Sequence, residues 1–580
     1  KSSAASDVYK RQKYITPDEA ERLSAMDLGL NPRPLKRGVS HIYDRISAEI
    51  TAYLGEDRVN AAGLKIYTTL DRKLQEATGK SLEQALENIE KRPGYRHQKA
   101  ADYHGASGDK PRYLEGALLV VDNQSGAVLA YHGGRDYTKR QYDAIKDGAR
   151  PTGTAILPFL YATAFDTGKS PVTRILDDAI DNRLTGIGGS EGILGEWGAE
   201  SSKNRYEGMI TAHRGLSASK IAASLRMGMD MGTSPFVKKL TDFGIRKPVR
   251  EAGSTEVNPV YRPKIFVGTE PASLKEMTLA YTAIPNGGSR PQDIYYLDRI
   301  EDEDGQLIWE SNQAIETRNN AQVRKGATST ATAFQLHNIL NSSLKNGSAQ
   351  RVAPHLPKDF RGGVKTGTTY DFADNWLFGY DSRITCGIWV GFLEGKKPIY
   401  NGAFSSDTCA SVLGAAVTEA ERLFPAGELA PPPSVERVEI CLTTGKRATH
   451  SCYDIDPVDK KYRRHTMFEY LRKGDSSLPF CDLHGEDISA PVSPFTAQNR
   501  ILPLPPILPT KAILQGDDPY HTELNQGPAN RNYELLGAGE NVPEAQALSA
   551  DPVSPDHTDT SITLPAPKPI TIPVPEFIHL

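Results

Sequence analysis

The sequence contains no apolar run approaching the roughly 18 residues that a membrane-spanning helix needs, and no secretory leader is visible in it. Cysteine is scarce. Cys386, Cys409, Cys441, Cys452 and Cys481 are the five among 580 residues, too few for a disulfide scaffold. Neither sign of charge dominates: the formal net charge is −4 and the pI about 6.4, which gives no reason to expect nucleic acid as a partner. No internal repeat is present. What remains is an ordinary globular composition, 38% hydrophobic and 24% charged, on a chain long enough for several domains and at least one sizeable core. The first residue is Lys rather than Met, and the expectation is that a targeting segment lies upstream.

Residues 1–12, KSSAASDVYKRQ, look unlike the rest of the chain, resemble translated adapter sequence, and are left out of the fold reading. Ile15–Leu23 opens as a helix, with Thr16 as N-cap, Pro17 at the first helical position and Glu19 completing a capping box. Ile42, Ile46, Ile50 and Tyr53 fall at helical spacing in His41–Gly55. Gly63–Asp71 has the β-branched and aromatic content of a strand, and a helical pattern runs from Arg72 to about Ile89. In Glu115–Gly134, two apolar runs flank the turn residues Asp122–Gly126, which predicts a β-hairpin. A helix follows Pro158, and Gly362–Phe392 reads as two further strands. Strands and helices that do not alternate strictly predict an α+β domain with a central antiparallel sheet flanked by helices. This domain ends near Phe424, ahead of the linker Ala430–Ser434. A small Cys-containing module follows over 435–485. Sixteen prolines between Pro491 and Pro575 favour polyproline II segments, so 486–580 reads as a mostly disordered tail.

Six blocks in order then resemble one family. They are GLKIYTTLDRKLQ, ALLVVDNQSGAVLAYHGG, RPTGTAILPFLYATAF, GLSASKIAASLRMGMDMG, EPASLKEMTLAYTAIPNGG, and GGVKTGTTYDFADNWLFGY with GIWVGF. Together they are similar to the C-terminal transpeptidase half of class A penicillin-binding proteins, over roughly Tyr14–Gly485. The resemblance implies a penicillin-binding, serine β-lactamase-like transpeptidase fold over 113–424. It implies a linker or pedestal over 13–112, of the kind that follows a glycosyltransferase domain. Peptidoglycan stem peptides and glycan strands become the expected partners, with cell-wall synthesis proteins as candidates for the Pro-rich tail. No cofactor is expected. The location implied is extracytoplasmic, in the periplasm, with a membrane anchor on an upstream segment.

The chemistry of that family needs three motifs around one cleft. The third is intact: Lys365, Thr366, Gly367, Thr368 and Thr369 supply a cation and hydroxyls on an edge strand, suited to a peptide carboxylate. Asp374 and Trp376 fit the surrounding pattern, with packing as their expected role. Motif one reads GTAILPF. Thr154 stands at the nucleophile and Leu157 at the base, one helical turn on. Leu157 has no proton acceptor, and loss of general-base help costs about 10²–10⁴-fold. Motif two, anchored on Arg226, keeps Ser219 but carries Ile221 where an asparagine belongs. The structural reading is that Thr154 caps a helix and Leu157 packs its inner face. Other Ser-x-x-Lys pairs are Ser107–Lys110, Ser217–Lys220 and Ser342–Lys345, of which Ser217–Lys220 overlaps motif two.

The expectation is therefore a transpeptidase-like domain that has lost acylation chemistry and serves peptidoglycan synthesis as a stem-peptide-binding or supporting module. An acyltransferase using Thr154 or Ser217 with Lys220 is the alternative, and a scaffold acting through the Pro-rich tail is a third reading. Cys441 and Cys452 bracket a ten-residue loop, for which a disulfide is the first expectation. With Cys481 and His484 they also have the composition of a zinc set, but Cys-x₁₀-Cys is not finger-like and no metal site is assigned. Cys386, inside a strand, is expected to be a small buried apolar residue.

Overall fold

The structure is a computed structural model that describes residues 16–19, 40–60, 63–105, 110–180, 206–246, 263–319, 324–369, 371–394, 397–455, 460–474 and 478–484. Ser107 and the Pro-rich tail lie outside the described residues. At the front of the chain the capping box forms: Thr16 N donates to Glu19 Oε2 at 2.8 Å, and Glu19 N to Thr16 Oγ1 at 3.3 Å.

The centre is a five-stranded antiparallel sheet of β1 (Glu115–Asp122), β2 (Val128–His132), β3 (Gly363–Thr368), β4 (Asp374–Tyr380) and β5 (Ile384–Gly391). Its spatial order is β3-β4-β5-β1-β2, so β3 is an edge. The hairpin β1–β2 forms around the expected turn residues. The last part of the sheet is three strands, not the two expected. The chain turns at Thr369–Ala373, with Phe372 at φ 56° and Phe372 N bonded to Thr369 O at 3.0 Å. A turn without glycine or proline leaves little trace in a sequence.

The sheet strands are apolar almost throughout because both faces are covered. Alternate residues enter different cores. Ala117, Leu119 and Val121 of β1 join Trp376, Phe378 and Tyr380 of β4 on one face. Leu118, Val120, Leu377, Cys386 and Ile388 face the other. On that second face lie α1 (Arg72–Glu90), N-capped by Asp71, and a C-terminal helix, Ala410–Leu423. Cys386 is fully buried there, as expected. The first face packs against α2 (Leu157–Asp166), α3 (Ala212–Ser217), α4 (Ile221–Met231), α5 (Leu274–Tyr281) and α6 (Thr330–Asn346). Helix α2 is buried on every side from Leu157 to Phe165, which its composition of Leu, Phe, Tyr and Ala allows. Lys65–Thr68 pairs with Leu297–Glu301, which in turn pairs with Leu307–Glu310. The region ahead of the sheet is thus completed by residues some 230 positions later.

Candidate active-site groove

Three elements meet where the sequence places its motifs: the edge strand β3, the turn between α3 and α4, and the start of α2. Gly153, at φ 53°, makes the approach of α2 possible. A Cβ there would lie 2.4 Å from Thr368 O, so only glycine lets the turn seat directly on the strand. Gly367 faces the same turn, with a would-be Cβ 2.5 Å from that of Ala155.

Thr154 is 2% exposed, and its Oγ1 donates to Thr366 O at 3.2 Å. Leu157 and Ile221 both belong to the hydrophobic core, as the packing reading of these positions expects. The Thr154 side chain does not cap the following helix, however. No side-chain cap bond forms at that start, and the hydroxyl turns to the strand instead.

The strand side is polar and fully engaged. Lys365 Nζ donates to Ser219 Oγ at 2.7 Å and to Thr366 O at 2.6 Å. Ser219 Oγ lies 3.0 Å from Ser348 Oγ, which accepts from Thr366 Oγ1 at 2.8 Å. Ser219 holds φ 56°, a left-handed conformation that costs a non-glycine residue of order 1–3 kcal/mol. That backbone aims its hydroxyl at the lysine. Lys365, the expected carboxylate-binding cation of the strand, turns inward. The side chain is 1% exposed, and burial pulls its pKa down from 10.5 to about 7. Thr366, Thr368 and Thr369 are buried as well, with Thr369 Oγ1 bonded to Asp371 Oδ1 at 2.9 Å.

Of the other Ser-x-x-Lys pairs, Ser217–Lys220 and Ser342–Lys345 lie among the described residues and do not form dyads. Lys220 Nζ lies 3.1 Å from Asp177 and 3.0 Å from Glu207. Burial would raise Glu207, but hydrogen bonds from Arg214 and Lys220 outweigh it and hold the carboxyl at about 2. The Ser217 hydroxyl turns back onto Arg214 O. Ser342 contacts His213 Nε2 at 2.7 Å, while Lys345 is exposed. Asp374 and Trp376 are packing residues: Asp374 Oδ1 accepts from Trp389 Nε1 at 2.9 Å, and Trp376 Nε1 donates to Pro151 O at 2.9 Å. Arg226 is buried and donates to the carbonyls of Asp178 and Ala179, tying α4 to that segment. Ser348 was not legible in advance, because no pattern marks the residue after a helix end as part of a groove. The Cys441–Cys452 loop also differs from expectation, since all five cysteines are free.

The family description "Penicillin binding protein transpeptidase domain" matches residues 116–408. The chain is 24% identical over 455 residues to penicillin-binding protein 2D of Bacillus subtilis, covering 76% of this chain and 58% of that protein. It is 28% identical over 284 residues to penicillin-binding protein 1A of Neisseria meningitidis, covering 49% of this chain and 33% of the relative. The chain thus spans 58% and 33% of these relatives' lengths, in each case less than two thirds. Among solved structures, penicillin-binding protein 1A of Haemophilus influenzae aligns with a TM-score of 0.61 at 18% identity, covering 81% of each chain. PonA1 of Mycobacterium tuberculosis aligns at 0.52 and 18% identity, covering 68% of this chain and 94% of that one. At these identities the structural likeness speaks to the fold.

Proposed function

Because the chain belongs to the family of penicillin-binding protein transpeptidase domains, a family of cell-wall biosynthesis, we propose that it is a transpeptidase domain without acylation chemistry. It would serve peptidoglycan synthesis by holding stem peptides or supporting a glycosyltransferase. The single observation that carries this is Leu157. One turn past the Thr154 hydroxyl stands a core side chain with no proton acceptor, and the hydroxyl itself is committed to Thr366 O. General-base help is worth about 10²–10⁴-fold, and Thr154 has none from that position. Ile221 in the core accords with this, since an amide there would have no lysine to bond.

The intact Lys365–Thr369 strand supports a peptide-holding role of a particular kind. A carboxylate arriving near Lys365 would favour its charged form, so binding would take up a proton and weaken above about pH 7. The same reading places the work outside the cytoplasm, on a membrane-anchored protein. No helix among the described residues is itself long and apolar enough to cross a membrane.

One contact favours a second reading. A serine 2.7 Å from a lysine held near neutrality is the geometry of a nucleophile and its base, so Ser219 with Lys365 is an acyl-transfer candidate. Incubation with a fluorescent penicillin, followed by mass mapping of labelled peptides, decides between them. The leading reading expects no stable adduct. An adduct on Thr154 or Ser217 would overturn it in favour of an active transpeptidase at those sites, and one on Ser219 would establish the second reading.

A further inference from the structure

After Phe424 the chain forms a small unit built on β6 (Val435–Cys441) and β7 (Thr466–Arg472), an antiparallel pair in which Cys441 opposes Thr466. Cys441 ends its strand at a tight turn, closed by Gly445 N on Cys441 O at 2.8 Å and Cys441 N on Lys446 O at 2.9 Å. Arg447 then bridges to both Ile440 and Phe480, and Cys481 N donates to Arg447 O at 2.8 Å. This backbone pairing brings Cys481 beside Cys441 across 39 intervening residues. Cys452 comes from a third segment, held where His465 N donates to its carbonyl at 3.0 Å.

The result is a cluster of Cys441, Cys452, Cys481 and His484, all buried, with every donor atom within 4.8 Å of the others. His484 Nδ1 stands 3.4 Å from Cys441 Sγ and 3.2 Å from Cys481 Sγ. In a tetrahedral site with Zn–S of about 2.3 Å and Zn–N of about 2.0–2.1 Å, neighbouring donors lie about 3.5–3.8 Å apart. The sulfurs also receive outer hydrogen bonds of the kind that orient metal-bound thiolates. Thr449 N donates to Cys452 Sγ at 3.3 Å, and Thr444 Oγ1 to Cys481 Sγ at 3.4 Å.

A disulfide explains this cluster poorly. It would join two thiols and leave the third, with an imidazole, buried beside it for no purpose. Among the described residues, the unit's own core is also smaller than a segment of this size needs. Among its described residues, the buried apolar side chains outside the cluster are Val435, Val438, Ile440 and Leu471, and Ala448 and Leu483 pack around the three sulfurs. A cross-link among four side chains supplies what that core does not.

We propose that Cys441, Cys452, Cys481 and His484 hold one structural zinc ion in a closed Cys₃His site. Three sulfurs and one nitrogen, with no carboxylate, are a donor set that zinc fits. Four protein donors leave no open position, so the site is structural. Binding displaces the thiol protons to solvent as the thiolates coordinate, with no redox step.

The test uses the full 580-residue chain, purified with zinc present and dialysed against metal-free buffer. Elemental analysis is expected to find about one zinc per chain, falling at least about tenfold in Cys481→Ser and in His484→Ala. In case those variants misfold, the unaltered chain is also exchanged with Co²⁺. The expected product shows the intense visible bands of tetrahedral cobalt and a sulfur-to-cobalt charge-transfer band. Two results overturn the proposal: a chain two hydrogens lighter that carries a Cys441–Cys452 disulfide and gives no cobalt spectrum, or full zinc content in both variants.

Discussion

The strand wall and the helix wall of the motif cluster differ in what became of their polar side chains. On the strand wall, Lys365, Ser219, Ser348 and Thr366 form a continuous set in which each polar atom has a partner. On the helix wall, the positions that would have joined this set, Leu157 and Ile221, are core residues, and Thr154 alone keeps a hydroxyl. The contrast shows how a buried polar network is trimmed without unfolding the protein. A half-satisfied network is worse than an apolar one, so once one member is lost its neighbours are better replaced by hydrocarbon. Members that still find partners elsewhere remain. Lys365 remains because Ser219 and the Thr366 carbonyl accept its hydrogen bonds.

The sharpest way to break this comparison is to put the lysine back. Leu157→Lys places an ammonium where no acceptor awaits it, and a loss of about 3–5 kcal/mol in denaturant unfolding is expected. Adding Thr154→Ser and Ile221→Asn returns partners, so the triple variant is expected to lose less than Leu157→Lys alone. Equal losses would mean that the helix wall has no memory of the network.

Next in size is the titration of Lys365. Its folded-state pKa lies below the unfolded value, so between about pH 7 and 10.5 the unfolded chain binds the extra proton. Stability therefore rises with pH across that window, with a slope approaching 1.4 kcal/mol per pH unit. Lys365→Met is expected to remove that slope, read as unfolding midpoints over the pH series against the unaltered chain. An unchanged slope would place the lysine in water. The smallest effect belongs to Thr154→Val. The Thr366 carbonyl keeps its Lys365 bond, so about 1 kcal/mol is expected from the lost hydroxyl. A much larger loss in thermal or denaturant unfolding would mean that Thr154 does more than pack.

Much of this frame was legible in the residues. The hairpin announced itself by two apolar runs around Asp122–Gly126, and the three motifs fell at the edge strand, the inter-helix turn and the helix start that the resemblance implies. The number of strands was not legible, because Thr369–Ala373 turns without glycine or proline. Nor was the inward turn of Lys365. A lysine beside threonines reads as solvated, and only the fold brings Ser219 and Ser348 over it. The convergence of Cys481 and His484 on Cys441 was visible as composition but not as geometry, since it depends on Arg447 pairing to two segments at once.

The strand β7 carries Glu469, a wholly buried carboxylate that pairs with His213 of α3 and accepts from Asn338 of α6 at 2.9 Å. Three residues on, Arg472 bonds Asp166 at the end of α2 at 2.8 Å. Deletion of everything beyond the proline-rich linker of 430–434 would therefore not remove an inert appendage. It would take a carboxylate and a guanidinium away from α2, α3 and α6, and a clone stopped at Phe424 inherits those vacated sockets.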